Sequence, residues 1–137
     1  MKTIFLIDDD EDDQFLFKEA LASFTPISTI EVAINGRLAL DRLMANDFRP
    51  EIIFVDLNMP VMKGFEFLEH FKKDSRFKTI PIGIYSTSNL SSDVEQSKLL
   101  GARFFFTKPG NFQTLCKNLR QLIDVDFSQQ EFVLIDK

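Results

Sequence analysis

The 137-residue sequence has no tryptophan, one cysteine and one histidine. The lone cysteine, Cys116, excludes an internal disulfide framework, and its apolar helical neighbours Leu115 and Leu119 favour a buried structural thiol over a nucleophile. The histidine, His70, shares its predicted helix with two lysines, and we expect it to face solvent. Neither residue is therefore a candidate for the chemistry of this chain.

Long apolar runs are also missing. No stretch approaches the roughly 18 apolar residues of a membrane span. The apolar run near the N-terminus, residues 3–7, is far shorter than the core of a signal peptide, and acids follow it directly. We therefore expect a protein that is neither inserted into a membrane nor exported, and that functions in the cytoplasm.

A basic cluster is the third absence. The net charge is -5, and the adjacent lysines Lys72 and Lys73 are followed at once by Asp74. Binding to a phosphate backbone needs clustered positive charge, so nucleic acid is not expected as a direct partner. Hydrophobic residues make up 45% of the chain and charged residues 27%, which is ordinary for one globular domain.

Short apolar runs alternate with longer segments of helical period. The predicted strands are residues 3–7, 29–34, 51–55, 81–85 and 103–106, and the predicted helices are residues 11–24, 37–45, 64–73, 92–100 and 112–124. Continuous apolar strands indicate burial on both faces, so the pattern predicts a doubly wound α/β domain with a parallel sheet under helices. For the fourth helix, Ser92 and Glu95 predict a capping box and Gly101 predicts the end.

Acidic residues follow two of these strands. Asp8 and Asp9 come directly after the first strand, and Asp56 comes directly after the third. A helix start explains the acids at residues 10–13, but the two acids before them would repel each other unless a cation lay between them. Ligands of open α/β sheets bind outside the carboxyl ends of the strands. Three converging carboxylates therefore predict a site for a hard divalent cation such as Mg²⁺.

Two further strand ends add to this site. Ser86 follows the fourth strand and supplies a hydroxyl, and Lys108 follows the fifth strand and supplies a positive charge. A carboxylate, Mg²⁺, a lysine and a hydroxyl together meet the needs of phosphoryl transfer, in which positioning and charge neutralisation dominate. Asp56 is then the nucleophile that forms an acyl phosphate.

These strand-end motifs resemble those of the receiver domains of two-component response regulators. The resemblance runs from residue 2 to about residue 124, and the segments that carry it, in the expected order, are FLIDDD, FVDLNMPVMKGFE, PIGIYSTS and GARFFFTKP. It implies a flavodoxin-like (βα)5 fold with five parallel strands in the order 2-1-3-4-5. The chain looks most like stand-alone receivers, of the chemotaxis-regulator type or associated with phytochrome-type kinases.

The resemblance also implies the roles of individual residues. Asp56 accepts a phosphoryl group from a histidine kinase or a phosphotransfer protein. Asn58 and Ser88 tune the lifetime of that group through their contact with the attacking water. Four residues are implied as Mg²⁺ ligands. Asp9 binds the ion directly and Asp8 binds it largely through water, and the other two ligands are Asp56 and the backbone carbonyl of Asn58.

The remaining implied roles concern the response to phosphorylation, with two departures from the family pattern. Ser86 is the hydroxyl that follows the phosphate, at a position where threonine is commoner. Lys108 pairs with the phosphate, and its bond to Pro109 is expected to be cis. Phe105 stands at the switch position that tyrosine often fills, and it is either an aromatic switch without a hydroxyl or a plain core phenylalanine.

Two alternative functions have partial support. A phosphohydrolase resembling the haloacid dehalogenase family also uses a strand-end aspartate and Mg²⁺, but it generally needs a second acid two residues later, where this chain has Asn58. In that family the nucleophile follows the first strand, whereas Asp56 follows the third strand of this chain, and no cap domain fits here. A degenerate receiver that only binds a partner is expected to lack one of three residues that are all present here, namely Asp9, Asp56 and Lys108.

The expected organisation is a receiver domain over residues 1–124 and a C-terminal tail over residues 125–137, with no output domain. Such a chain is expected to act as a phosphoacceptor and not as an enzyme, with output through a surface that a downstream protein recognises or through phosphate relay. The tail carries apolar, β-forming residues at Phe127 and at 132–135. We expect it to pack as an extended segment, either over its own domain or across a two-fold axis in a homodimer.

Overall fold

The computed structural model describes residues 2–25, 28–45 and 47–136. Within these ranges the strands are β1 Thr3–Ile7, β2 Thr29–Ala33, β3 Ile52–Val55, β4 Ile82–Ser86, β5 Phe104–Thr107 and β6 Val133–Asp136. The helices are α1 Glu11–Phe24, α2 Gly36–Met44, α3 Gly64–Lys72, α4 Ser91–Leu99 and α5 Phe112–Ile123, and a short 3₁₀ turn covers Ser75–Phe77. Every predicted strand and helix is present, and each predicted end lies within one residue of the observed end.

The strands form one sheet in the order β2-β1-β3-β4-β5-β6, and all the pairings are parallel. This arrangement confirms the flavodoxin-like fold and the order 2-1-3-4-5 of the predicted strands. The predicted number of five strands is corrected to six in the described part of the chain. The additional strand comes from the tail, whose β-forming residues pair with the outer edge of β5 from Val133 to Asp136.

Both faces of the sheet are buried, as β1 illustrates. Phe5 and Ile7 belong to one apolar layer, and Ile4 and Leu6 belong to the other. Successive side chains of a strand point to opposite faces, so a continuous apolar run is buried only when helices cover both faces. Helices α2, α3 and α4 contribute to the first layer, and α1 and α5 to the second. The helices thus cover the faces of the sheet and leave the carboxyl ends of its central strands accessible.

Helix α4 begins differently from the prediction. Its N-cap is Leu90, which makes no side-chain capping bond, and Ser92 lies inside the first turn, so the predicted capping box is wrong. Ser88 instead organises this start, because its hydroxyl donates to Asp93 at 2.5 Å and accepts from the Leu90 amide at 3.3 Å. The predicted end at Gly101 is confirmed, since its φ of 93° lies in the left-handed region that glycine adopts readily.

Three further expectations concern single residues. The bond between Lys108 and Pro109 is trans, so the predicted cis bond is wrong; a bond before proline prefers trans by about 0.5–1 kcal/mol unless its surroundings enforce cis. Cys116 is half-buried instead of buried, with its sulfur 3.6 Å from the Ser23 hydroxyl. His70 is exposed, as expected.

Among the described helices, none is long and apolar enough to cross a membrane.

Candidate functional site

Four functional side chains come together at the carboxyl edge of the sheet. Asp8 follows β1, Asp56 follows β3, Ser86 ends β4 and Lys108 follows β5. Parallel strands bring their carboxyl ends to one edge, so residues that are distant in sequence become neighbours there. The residues singled out at the strand ends therefore share one site.

A cluster of carboxylates forms the centre of this site. Asp8, Asp9 and Asp56 each offer an oxygen, and these oxygens all lie within 4.8 Å of one another. Asp8 is fully buried and Asp56 is 7% exposed, whereas Asp9 faces solvent. Carboxylates this close repel one another, and a cation among them would offset the repulsion. The oxygen ligands suit a hard divalent cation that keeps some of its water.

Lys108 supplies the positive charge of the site. Its Nζ lies 2.7 Å from an oxygen of Asp13, 2.8 Å from one of Asp8 and 3.4 Å from one of Asp56. The Lys108 side chain is only 8% exposed, so solvent screens these pairs poorly. One ammonium thus pairs with three carboxylates. Because Asp9 adds a fourth carboxylate nearby, the site keeps an excess of negative charge.

Asp13 is a site residue that the sequence pattern did not indicate. It lies in the first turn of α1, and its amide donates to the side chain of the N-cap residue Asp10 at 3.0 Å. The helix-start explanation is therefore right for Asp10 but incomplete for Asp13. Only the position of Asp13 in the sequence indicated this role, because the first turn of a helix that follows β1 also lies at the carboxyl edge of the sheet.

Burial changes the proton affinity of two of these groups. It raises the pKa of Asp8 to about 6, and the hydrogen bonds from Lys108 and from the Asp10 amide oppose it only in part. For Lys108, burial alone would lower the pKa, but the hydrogen bonds to Asp13 and Asp8 outweigh it and hold the pKa above its ordinary value. Lys108 is therefore a permanent cation, while the charge of Asp8 changes in mildly acidic solution.

An open polar cleft of about 560 Å³ lies over the carboxylates. The side chains that line it include Asp9, Asp13, Asp56, Asn58, Thr87 and Lys108. A water molecule occupies about 30 Å³ in the liquid, so the cleft has room for a phosphoryl group together with a hydrated cation.

The loop after β3 is shaped by close backbone contacts. A Cβ on Gly64 would clash with the carbonyl oxygen of Asp56, so only glycine fits where α3 begins. Val61 has a φ of 70°, which is a strained value for a β-branched residue. The Met62 amide donates to the Pro60 carbonyl at 2.7 Å, which closes a tight turn around Val61. This tight turn constrains the loop that carries Asn58, whose backbone carbonyl is a predicted metal ligand.

The two predicted switch residues are both buried. Ser86 is fully buried at the end of β4, and its hydroxyl accepts from the Ser88 amide at 3.4 Å. Phe105 is fully buried in the apolar layer that α2, α3 and α4 cover. A core role for Phe105 agrees with this position, and its role as a switch stays a prediction.

The sequence matches the family model of the response regulator receiver domain over residues 4–120. The chain therefore belongs to the receiver-domain family of response regulators, the class of protein that the parallel sheet and its acidic edge define. Receiver domains of this family act in two-component signal transduction as phosphoacceptors.

Individual relatives agree with this assignment. Response regulator Rcp1 of Synechocystis sp. (strain ATCC 27184 / PCC 6803 / Kazusa) is 31% identical over 121 residues, which cover 85% of this chain and 82% of Rcp1. The Mn²⁺-bound structure of Rcp1 aligns with a TM-score of 0.79 and 29% identity, covering 89% of this chain and 91% of that chain. The structure of the phosphorylated cyanobacterial phytochrome response regulator RcpA aligns with a TM-score of 0.81 and 32% identity, covering 88% and 90%.

Some relatives are much longer than this chain. A protein-glutamate methylesterase/protein-glutamine glutaminase of Desulfotalea psychrophila (strain LSv54 / DSM 12343) is 33% identical over 126 residues, which cover 82% of this chain. The similarity spans only 33% of the length of that relative. Its activity as a whole protein therefore does not transfer to this chain.

Proposed function

We propose that this receiver domain accepts a phosphoryl group on Asp56 from the phosphohistidine of a histidine kinase or a phosphotransfer protein, in a Mg²⁺-dependent reaction in the cytoplasm. The observation that carries the proposal is the position of Asp56. Its carboxylate lies in the polar cleft, 3.4 Å from the Lys108 ammonium and beside the carboxylates of Asp8 and Asp9. The likeness to RcpA, which has been captured in a phosphorylated form, supports it.

The residues of the site fit a divalent cation. Burial raises the pKa of Asp8, which means that the charged carboxylate is poorly stabilised in the fold. A nearby cation would stabilise that charge. When bound, Mg²⁺ would offset the negative charge of the phosphoryl oxygens as they approach the carboxylates. The Mn²⁺-bound form of Rcp1 supports a divalent ion at such a site. The residues that would hold the cation are Asp8, Asp9, Asp56 and, through its backbone carbonyl, Asn58.

The side chains of this chain account for the transfer itself. A carboxylate oxygen of Asp56 attacks phosphorus, and the P–O bond forms as the P–N bond of the phosphohistidine breaks and its electron pair returns to the imidazole. Lys108 donates to the phosphoryl oxygens, and the Ser86 hydroxyl is a second donor. Water later hydrolyses the acyl phosphate and restores Asp56, at a rate that we propose Asn58 and Ser88 set.

The alternatives have weaker support. A phosphohydrolase of the haloacid dehalogenase type needs an acid where this chain has the exposed Asn58, which cannot donate a carboxylic proton. A degenerate receiver would lack part of the acidic site, whereas Asp9 and Asp56 are clustered and Lys108 contacts Asp56. The geometry therefore favours a phosphoacceptor.

Output is proposed to pass through contacts with a downstream protein. The Lys108 amide donates to the Ser86 carbonyl at 2.7 Å, so the segments after β4 and β5 are tied together. Movement of the Lys108 ammonium toward a phosphoryl group would pull on both segments, which lead into α4 and α5. The altered surface of these helices is what a partner would recognise, and neither nucleic acid nor a membrane is a proposed partner.

A small-molecule phosphodonor tests the proposal without a cognate kinase. We expect the protein, incubated with acetyl phosphate and Mg²⁺, to gain the mass of one phosphoryl group and to lose it in hydroxylamine. Asp56→Asn, and wild type with a chelator, are expected to gain none. Asp41→Asn, which changes an exposed acid on α2, should gain the group at the wild-type rate. Uptake by Asp56→Asn at the wild-type rate would overturn the assignment.

A further inference from the structure

The ammonium of Lys108 is shared unequally among its partners. It has three N–H donors, and three carboxylates face them. The shortest contact is with Asp13, at 2.7 Å, and the longest is with the acceptor Asp56, at 3.4 Å. Before phosphorylation, Lys108 is therefore held closer to α1 than to the residue that receives the phosphoryl group.

The two close partners of Lys108 differ in what their release would require. The side chain of Asp8 is fully buried, so losing the ammonium would leave a charge that water cannot reach. The side chain of Asp13 is 30% exposed, so water can hydrate its carboxylate once the ammonium leaves. Asp13 is thus the partner that a competing anion can replace most easily.

The position of Asp13 is fixed independently of Lys108. Its amide is bound to the N-cap side chain of Asp10, and α1 packs against α5 in the second apolar layer. The contact between Asp13 and Lys108 therefore links α1 to the start of the segment between β5 and α5.

We propose that Asp13 is a positioning residue that holds Lys108 in the unphosphorylated state and yields it to the phosphoryl group on Asp56. Its contact must break before Lys108 can pair fully with the incoming phosphoryl oxygens, so Asp13 restrains phosphorylation. This inference rests on the proposed transfer to Asp56. It adds to that function a residue of α1 that sets how readily the transfer occurs.

Matched variants of α1 separate this contact from a general effect of charge. Asp13→Asn removes the charge at the contact, Asp13→Glu keeps it, and Glu19→Gln removes the same charge from an exposed position on the same helix. With acetyl phosphate and saturating Mg²⁺, we expect Asp13→Asn to raise the phosphorylation rate constant about three- to tenfold. The other two should stay within about twofold of wild type. A rate for Asp13→Asn that matches Glu19→Gln, or falls below wild type, would overturn the proposal.

A spectroscopic measurement tests the contact without any phosphotransfer. The ¹⁵N signal of the Lys108 ammonium, assigned by its loss in Lys108→Arg, is expected to shift and to exchange protons with water faster in unphosphorylated Asp13→Asn. Asp13→Glu should restore the signal, and Glu19→Gln should leave it unchanged. An unaltered signal in Asp13→Asn refutes the contact. If no protein takes up phosphate, wild type included, the proposed function fails, and the Lys108 signal still decides whether Asp13 holds the ammonium.

Discussion

The raised pKa of Asp8 links the stability of the protein to pH. The reference pKa is 3.8, and burial raises that of Asp8 to about 6. Because the folded state binds this proton more tightly than the unfolded state, protonation of Asp8 stabilises the fold. The contribution is fully present below about pH 4 and is lost as the pH rises through about 6. Above that range the buried group is a carboxylate, and a divalent cation then relieves the most repulsion.

Mg²⁺ is therefore expected to stabilise the protein more at about pH 7.5 than at about pH 5, because a proton on Asp8 competes with the cation at the lower pH. Thermal unfolding with and without saturating Mg²⁺ at the two pH values measures the difference. In Asp8→Asn the dependence of the Mg²⁺ effect on pH should shrink. Equal shifts of the melting temperature at both pH values in wild type would contradict the role given to Asp8.

Asp9 is predicted to bind the metal without supporting the fold. It is exposed, and its charge adds to the repulsion at the site, so Asp9→Asn should change the free energy of unfolding in metal-free buffer by no more than about 0.5 kcal/mol. The same variant should lose most of the stabilisation that Mg²⁺ gives to wild type, whereas Asp41→Asn should keep it. Denaturant unfolding with and without Mg²⁺ tests both statements, and a strongly destabilised Asp9→Asn in metal-free buffer would refute the first.

The residues of the candidate site were predictable to the extent that strand ends identify them. Asp8, Asp56 and Lys108 could be found because the carboxyl ends of parallel strands meet at one edge. Asp13 was missed because a helix start already accounts for an acid there, and its place in the first turn of the helix after β1 was the one indication of a role in the site. The contact with Lys108 depends on how α1 leaves the sheet, which the local sequence does not specify.

At the scale of the elements, the tail is attached to the sheet by the pairing of β6 with β5 and by the side chain of one arginine. The Arg103 guanidinium donates to the backbone carbonyls of Phe127 at 2.5 Å, Gln130 at 2.8 Å and Glu131 at 3.2 Å. The ring of Phe127 also packs near that of Phe104, with centroids 5.9 Å apart. The turn before β6 is thus tied to the beginning of β5.

Arg103→Ala is expected to loosen β6 and the turn before it, because three carbonyls lose a charged donor. We expect the free energy of unfolding to fall by about 1–3 kcal/mol. Amide hydrogen exchange should rise over residues 126–136 while β1 stays protected. Arg120→Ala, at an exposed position on α5, is the control and should change neither quantity. Unchanged protection of β6 in Arg103→Ala would show that the arginine does not hold the tail.

Most elements could be predicted because burial on both faces leaves a strong pattern. A continuous apolar run such as Ile52–Val55 indicates a central strand. The tail residues likewise indicate an extended segment, and the structure confirms one within the same chain. Their pattern does not say which edge they pair with, because that depends on how the chain returns after α5.

For the whole molecule, β6 closes the edge of β5 and becomes the new edge of the sheet. Ile135 is buried, whereas Leu134 is 54% exposed. A homodimer through the tail, which stays a prediction, would therefore use the outer side of β6. An exposed edge strand can pair with a second copy, and a lysine on it opposes such pairing.

Light scattering with and without acetyl phosphate tests this interface. We expect the phosphodonor to raise the average mass of the full chain, and to leave a truncated protein lacking residues 126–137 unchanged. Leu134→Lys, which keeps β6 and places a charge on its exposed side, should behave like the truncated protein. A truncated protein as dimeric as the full chain would rule out the tail as the interface.

Mapping the position of the phosphoryl group tests the central claim, that Asp56 is the phosphoacceptor, most directly. The protein is phosphorylated with acetyl phosphate and Mg²⁺ and is then treated with borohydride, which reduces an acyl phosphate to the alcohol. Peptides of the treated protein are identified by mass. We predict homoserine at position 56, with Asp8, Asp9 and His70 unmodified. Homoserine at another aspartate, or a phosphoryl group on His70, would contradict the claim.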